Sequence, residues 1–252
     1  MSLRARTTIA AATPGVVAVV AVVLVLALTA VSLFVGVIDI SPRQVFTDAR
    51  LREIFLISRV PRTAALILSG SAMAVGGLIM QHLTQNRFVA PTTAGTVDAA
   101  AVGMLTVTLL APGAAVMTKV LVALAFALVG TAVFVGIVQR VQFRDPLLVP
   151  LLGLILGGIY RAVAEFFAYR SNLTQAMYTW FSADFSGIIE GRYETLWLAG
   201  LSALVAYLFA NRFTAAGMGE AFATNIGVNY RATMAIGLTI VAFATAVVVV
   251  TV

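Results

Sequence analysis

Val16-Val-Ala-Val-Val-Ala-Val-Val-Leu-Val-Leu-Ala-Leu-Thr-Ala-Val-Ser-Leu-Phe-Val-Gly36 contains no charged side chain and no proline. As a helix it crosses a hydrocarbon core about 30 Å thick with every backbone polar group bonded inside the segment. Arg4 and Arg6 precede it, as basic residues precede a signal peptide. The apolar core is nevertheless too long for a leader's hydrophobic region, and no convincing small-residue cleavage site follows. It reads as a retained first span.

Working outward, similar runs recur along the whole chain. Spans are expected at about Val16 to Val37, Thr63 to Leu83, Thr93 to Leu110, Val116 to Val138, Leu147 to Ala168, Leu196 to Ala210 and Ala232 to Val252. The expected fold is all-α, a polytopic membrane helix bundle with seven spans, forming one transmembrane domain over residues 1–252. Composition agrees: 252 residues that are 61% hydrophobic and 10% charged, with a mean hydropathy of +1.04, cannot cover a water-soluble surface.

With no cysteine and a single histidine, His82, the chain has neither a thiolate nor a histidine cluster to bind metal. His82 reads as a hydrogen-bonded interface residue at the inner end of the second span. The net charge of +6 is spread over loops, where lipid headgroups and partner proteins, not nucleic acid, are the counterparts. A cytoplasmic N-terminus puts Arg4, Arg6, Arg87, Arg140, Arg144, Arg212 and Arg231 inside. Arg43, Arg50, Arg52, Arg59, Arg62, Arg170 and Arg192 then lie outside, so the positive-inside rule is close to a tie.

Local signals add detail. Gly153 with Gly157, and Gly70, Ala74 and Gly77, are small-residue spacings that let membrane helices approach closely. Ser41-Pro42-Arg43-Gln44 is a capping box with proline at the first helical position, predicting a short surface helix. Asn172 followed by Gln175, ahead of Met177, Trp180 and Phe181, predicts a second one with its aromatic pair at headgroup depth.

Charges inside spans are costly and need partners. Arg161 and Glu165, four apart on one helix face, are expected to neutralise each other. Asp98 has no local partner; it either pairs with Arg87 or lines a conduit.

The segment Thr214-Ala-Ala-Gly-Met-Gly-Glu-Ala-Phe-Ala-Thr-Asn-Ile-Gly-Val-Asn-Tyr-Arg231 is neither span nor polar linker. Glu220 suits a helix N-terminus, Met218, Phe222 and Ile226 recur every four residues, and Gly227 can terminate the helix. Such a helix either lies on lipid or docks into a groove of a partner protein. No Gly-x-x-x-x-Gly-Lys-Ser/Thr pattern occurs, so the chain offers no nucleotide site. An intramembrane enzyme would need a nucleophile with its base or a metal dyad. A proton-coupled secondary transporter, the alternative class, would need repeated halves with intramembrane carboxylates, and neither pattern is evident.

Arg59-Val-Pro-Arg62 leading into Leu66-Ile-Leu-Ser-Gly70, then Gly77-Leu-Ile-Met-Gln81 and Leu83-Thr-Gln-Asn86-Arg-Phe-Val-Ala-Pro91, resembles the iron-siderophore and vitamin B12 ABC transporter permease family (FecCD-type). Gly217-Met-Gly-Glu220 to Gly227-Val-Asn229 resembles that family's ATPase-coupling loop. The segments Pro91 to Thr96 and Phe185 to Tyr193 look most similar to permeases for iron-catecholate siderophores. The resemblance runs from about Ile38 to the end.

It implies a permease subunit of an ABC importer carrying iron(III)-siderophore complexes across the bacterial plasma membrane, with vitamin B12 or haem as alternative cargo. By the same resemblance Arg59 and Arg62 dock an extracytoplasmic binding protein; headgroup anchoring is the competing reading. Asn86, Phe88 and Pro91 form a cytoplasmic gate, although Asn86 equally suits a turn. Gly219, Glu220, Ala221, Phe222 and Gly227 engage a cytoplasmic ATPase dimer, which binds ATP and Mg, and a second permease subunit completes the pathway. Family members have about ten spans, so a chain stopping in an apolar run at Val252 is expected to be truncated.

Overall fold

The computed structural model describes residues 14–36, 38, 40–140 and 147–252. Arg4, Arg6 and Arg144 of the charge argument lie outside them. The described residues form twelve α-helices in two compact units, residues 1–63 and 64–252.

The first unit opens with α1, Pro14–Phe34. Its valines and leucines are exposed around the helix, from Val16 to Val31, as befits a helix whose solvent is lipid. Helix α2, Pro42–Thr47, starts at the expected capping box: the Ser41 backbone N–H donates to Gln44 Oε1 at 2.8 Å, with Pro42 at the first position. Helix α3, Ala49–Ile54, is capped by Asp48, whose Oδ1 accepts from the backbone N–H groups of Arg50 and Leu51. A π-helical turn, Phe55–Arg59, then leads into α4, Val60–Thr84. Such a turn holds one residue more than an α-helical turn and rotates the side chains that follow.

In the second unit α4 is joined by α5 (Thr96–Leu110), α6 (Val116–Arg140), α7 (Leu148–Arg170), α8 (Thr174–Ser182), α9 (Leu196–Leu208), α10 (Ala210–Gly217), α11 (Glu220–Asn225) and α12 (Tyr230–Thr251). Helices α5 and α12 are central: α5 packs on α6, α7 and α12, and α12 also packs on α6 and α9. Their contact surface is built from alanine, with Ala100, Ala101, Ala123, Ala127, Ala242 and Ala246 all fully buried. Without a hydrophobic drive between helices in lipid, such small side chains supply close backbone approach.

The seven expected spans all appear as helices, but two differ from expectation. Five are long and apolar enough to cross a membrane: Gly15–Phe34, Ala49–Thr84, Val116–Arg140, Leu148–Arg170 and Tyr230–Thr251. The expected sixth span is bent by 64° between α9 and α10. The expected third is α5, with only 15 residues, about 22 Å of helix. Its first residues are taken by a tight loop ending at Gly95, whose φ of 75° is left-handed. An apolar window registers neither a bend nor a loop made of small residues.

Helix α8 forms where expected, and its aromatic pair packs on the bundle. Met177 is fully buried, and Trp180 and Phe181 pack with Leu105, Ala164 and Ala168 of α5 and α7. Leu173, not Asn172, is the N-cap, and Asn172 turns the chain with a φ of 57°.

Candidate functional site

One end of the second unit gathers the last turn of α4, the loop after it, the α10–α11 segment, and the adjoining ends of α6 and α12. Leu83, Gln85, Gln139, Glu220, Tyr230 and Arg231 all line one open cavity of about 830 Å³ there. Asn86 is buried, and its Oδ1 accepts the Phe88 backbone N–H at 2.9 Å. That is an Asx turn, so Asn86 shapes the loop. Phe88 is half exposed, with the Arg87 guanidinium 5.8 Å from its ring centroid, while Val89 is fully buried. Pro91 is buried against Gly76.

The α10–α11 segment has the expected form. Gly219 enters α11 with a φ of 105° and Gly227 leaves it with a φ of 81°. Both values lie where a side chain would be strained. Glu220 is the first helical residue, where a carboxylate complements the helix dipole. Ala223 faces inward and is buried, whereas Met218, Phe222 and Ile226 are exposed at 60%, 44% and 54%. Ala221 lies beside them, also exposed. An apolar stripe is thus presented outward from a helix pinned by one small residue.

Deeper in the bundle, the expected Arg161–Glu165 pair is replaced by another. Arg161 Nε and Nη2 both donate to Asp98 Oδ1, at 3.1 and 2.8 Å. Asp98 therefore pairs across helices with Arg161, not with Arg87. The reason is burial: Asp98 is buried between α5 and α7 and requires a cation there, whereas Glu165 is exposed. Gly157 makes the approach possible, since a Cβ at that position would stand 2.6 Å from Asp98 Oδ2. The same guanidinium lies 4.2 Å from the Phe181 ring centroid, a cation–π contact that ties α8 to the pair.

Within the first unit the two docking candidates part company. Arg59 is only 7% exposed, and its Nη1 and Nη2 donate to the carbonyls of Val35 and Ile38 at 2.9 and 3.1 Å. These two nitrogens hold the chain just after α1, while Nε, also buried, has no partner among the described residues. Gly36 leaves room for the guanidinium, because a Cβ there would fall on it. Arg59 is thereby buried in the first unit, not presented at the surface as a docking residue would be. Arg62 remains exposed.

Besides the Arg161–Asp98 pair, three contacts were not expected from the sequence: Arg59 with Val35 and Ile38, Phe181 with Arg161, and His82 with Gly217. In each pair with a glycine or a ring, the partner carries no charge or polarity to advertise it. Only the odd glycine, Gly36 or Gly217, hinted at close approach.

The FecCD transport family matches residues 22–252. The petrobactin import system permease protein YclN of Bacillus subtilis (strain 168) is 42% identical over 231 residues, 91% of this chain and 73% of that protein. The petrobactin import system permease protein FatD of Bacillus anthracis is 42% identical over 230 residues, covering 91% of this chain and 67% of that protein. Among solved structures, an inward-facing metal-chelate type ABC transporter superposes with a TM-score of 0.73 over 92% of this chain and 75% of its own. At 18% identity that likeness concerns the fold.

Proposed function

Because the chain belongs to the FecCD transport family, we propose that it is the membrane-spanning permease subunit of an ABC importer for iron(III)-siderophore complexes. The observation that carries this reading is the shared end of the second unit, where the segment bearing the outward-facing apolar stripe touches the 85–91 loop. Petrobactin import by two relatives supports a siderophore cargo.

In this reading the α10–α11 end faces the cytoplasm and the N-terminus is cytoplasmic. Phe222, with Met218 and Ile226, enters a groove on a separate ATPase dimer, with Gly219, Glu220, Ala221 and Gly227 shaping the helix. Helix-in-groove recognition of this kind uses residues spaced three or four apart. ATP and Mg are bound by that partner. Asn86, Phe88 and Pro91 form the inner gate, and a second permease subunit faces this one across the pathway. Arg62, whose guanidinium fork matches a carboxylate, docks the extracytoplasmic binding protein.

The test is uptake of ferric petrobactin into vesicles holding this chain with its ATPase and binding protein. Uptake that requires ATP and is blocked by vanadate is expected. Uptake driven by a proton gradient without the ATPase would overturn the reading, and selective uptake of vitamin B12 or haem would reassign the cargo.

A further inference from the structure

Gly217, the last residue of α10, and His82, in the last turn of α4, are in contact without any hydrogen bond between them. A Cβ placed on Gly217 would stand 2.5 Å from His82 Nδ1, 3.2 Å from its Cγ and 3.3 Å from its Cβ. The imidazole therefore fills the notch that the missing side chain leaves. Two residues on, Gly219 lies against the Gln85 amide, with Nε2 3.3 Å from where its Cβ would be.

The contact continues into the loop. The Gln85 backbone N–H donates to the His82 carbonyl, and that of Asn86 donates to the Gln81 carbonyl at 3.0 Å. Asn86 in turn holds the Phe88 N–H, and Val89 beside it is fully buried. A displacement of α10–α11 thus meets the base of the 85–91 loop through two side chains, His82 at Gly217 and Gln85 at Gly219. Behind it Gly237 of α12 is packed against Leu83 and Phe213, at 2.9 and 3.1 Å from its would-be Cβ, which leaves α4 little room to give. Close-packed contacts of this kind transmit displacement instead of absorbing it.

We propose that His82, seated in the Gly217 notch, is a positioning residue through which movement of the α10–α11 segment is passed to the Asn86–Phe88 gate. The proposal rests on the permease reading above. Histidine serves here as a rigid planar wedge, and the notch requires glycine because any side chain would drive the imidazole out.

The chain contains no cysteine, so with cysteine-free partner subunits an introduced thiol reports on its own position. The experiment uses the full transporter complex in proteoliposomes, with Phe88→Cys as reporter and a membrane-impermeant thiol reagent. In the otherwise unsubstituted chain, ATP changes the labelling rate of that thiol. His82→Ala is expected to shrink the ATP-dependent change by about threefold or more, while basal ATP hydrolysis and thermal stability persist. Gly217→Ala is expected to do the same, and combining it with His82→Ala to recover part of the change, since the added methyl occupies the vacated space.

An ATP-dependent change of full size in His82→Ala overturns the proposal. So do two single variants that lose stability and labelling response together, with no recovery in the double, because the contact would then be packing alone. If the unsubstituted complex shows neither ATP-driven uptake nor a labelling response, it is the permease reading that fails.

Discussion

Arg161 of α7 places two nitrogens on one carboxylate oxygen of Asp98 in α5, across 63 residues of sequence. A charge pair inside a membrane bundle is held only where the geometry compensates for its removal from water. Here the compensation comes from a double donor, a glycine that lets the helices close, and an aromatic ring beside the guanidinium.

Asp98→Ala is therefore expected to destabilise the detergent-solubilised protein by about 1–3 kcal/mol, the cost of leaving a charged partner unmatched. The half-exposed Arg161 keeps this below the figure for a fully buried pair. Glu165→Ala should stay within about 0.5 kcal/mol. Thermal unfolding of the two variants decides between the pairings: equal losses would refute the Asp98 assignment.

Arg59 and Arg62 should separate in function. Arg59→Ala and Arg59→Lys should both lower thermal stability, because an ammonium cannot span the carbonyls of Val35 and Ile38. Arg62→Ala should leave stability unchanged and weaken capture of the binding protein. A stable Arg59→Ala chain that fails only in capture would return Arg59 to the docking surface.

Neighbouring glycines of α7 provide a packing test. A Cβ on Gly153 would run into the Thr93 carbonyl oxygen and Ala94, whereas one on Gly158 meets nothing within 4 Å. Gly153→Ala should cost about 1–3 kcal/mol and Gly158→Ala almost nothing, measured by the midpoint of thermal unfolding.

The stripe on α11 should govern assembly. Phe222→Ala is expected to weaken retention of the ATPase by about tenfold, roughly 1.4 kcal/mol, without altering the permease's own unfolding. Pull-down from solubilised membranes reads the first effect. Retention at the unsubstituted level would show that the stripe rests on lipid.

The membrane class, the seven helical segments, the capping box at Ser41 and the apolar stripe through Phe222 were readable from local pattern alone. Each depends on spacing within one helix or on composition, and such spacing survives in any tertiary context. The partners of the charged residues were not readable in this way. A four-residue spacing made Glu165 the nearest candidate for Arg161, but burial of Asp98 on another helix decided the matter. Similarly, Arg59 and Arg62 look alike in sequence, and the carbonyls of the chain just after α1 bury one while the other stays exposed.

Length in residues likewise misled at α5 and at the α9–α10 bend, where the apolar count is continuous and the backbone is not. Composition and spacing were enough to show a helical membrane protein and the segment that turns an apolar stripe outward, because these follow from solvent and helical periodicity. Tertiary structure alone decided which charges meet and that His82 closes on Gly217. Those contacts depend on distances between helices, and no spacing within one helix encodes them.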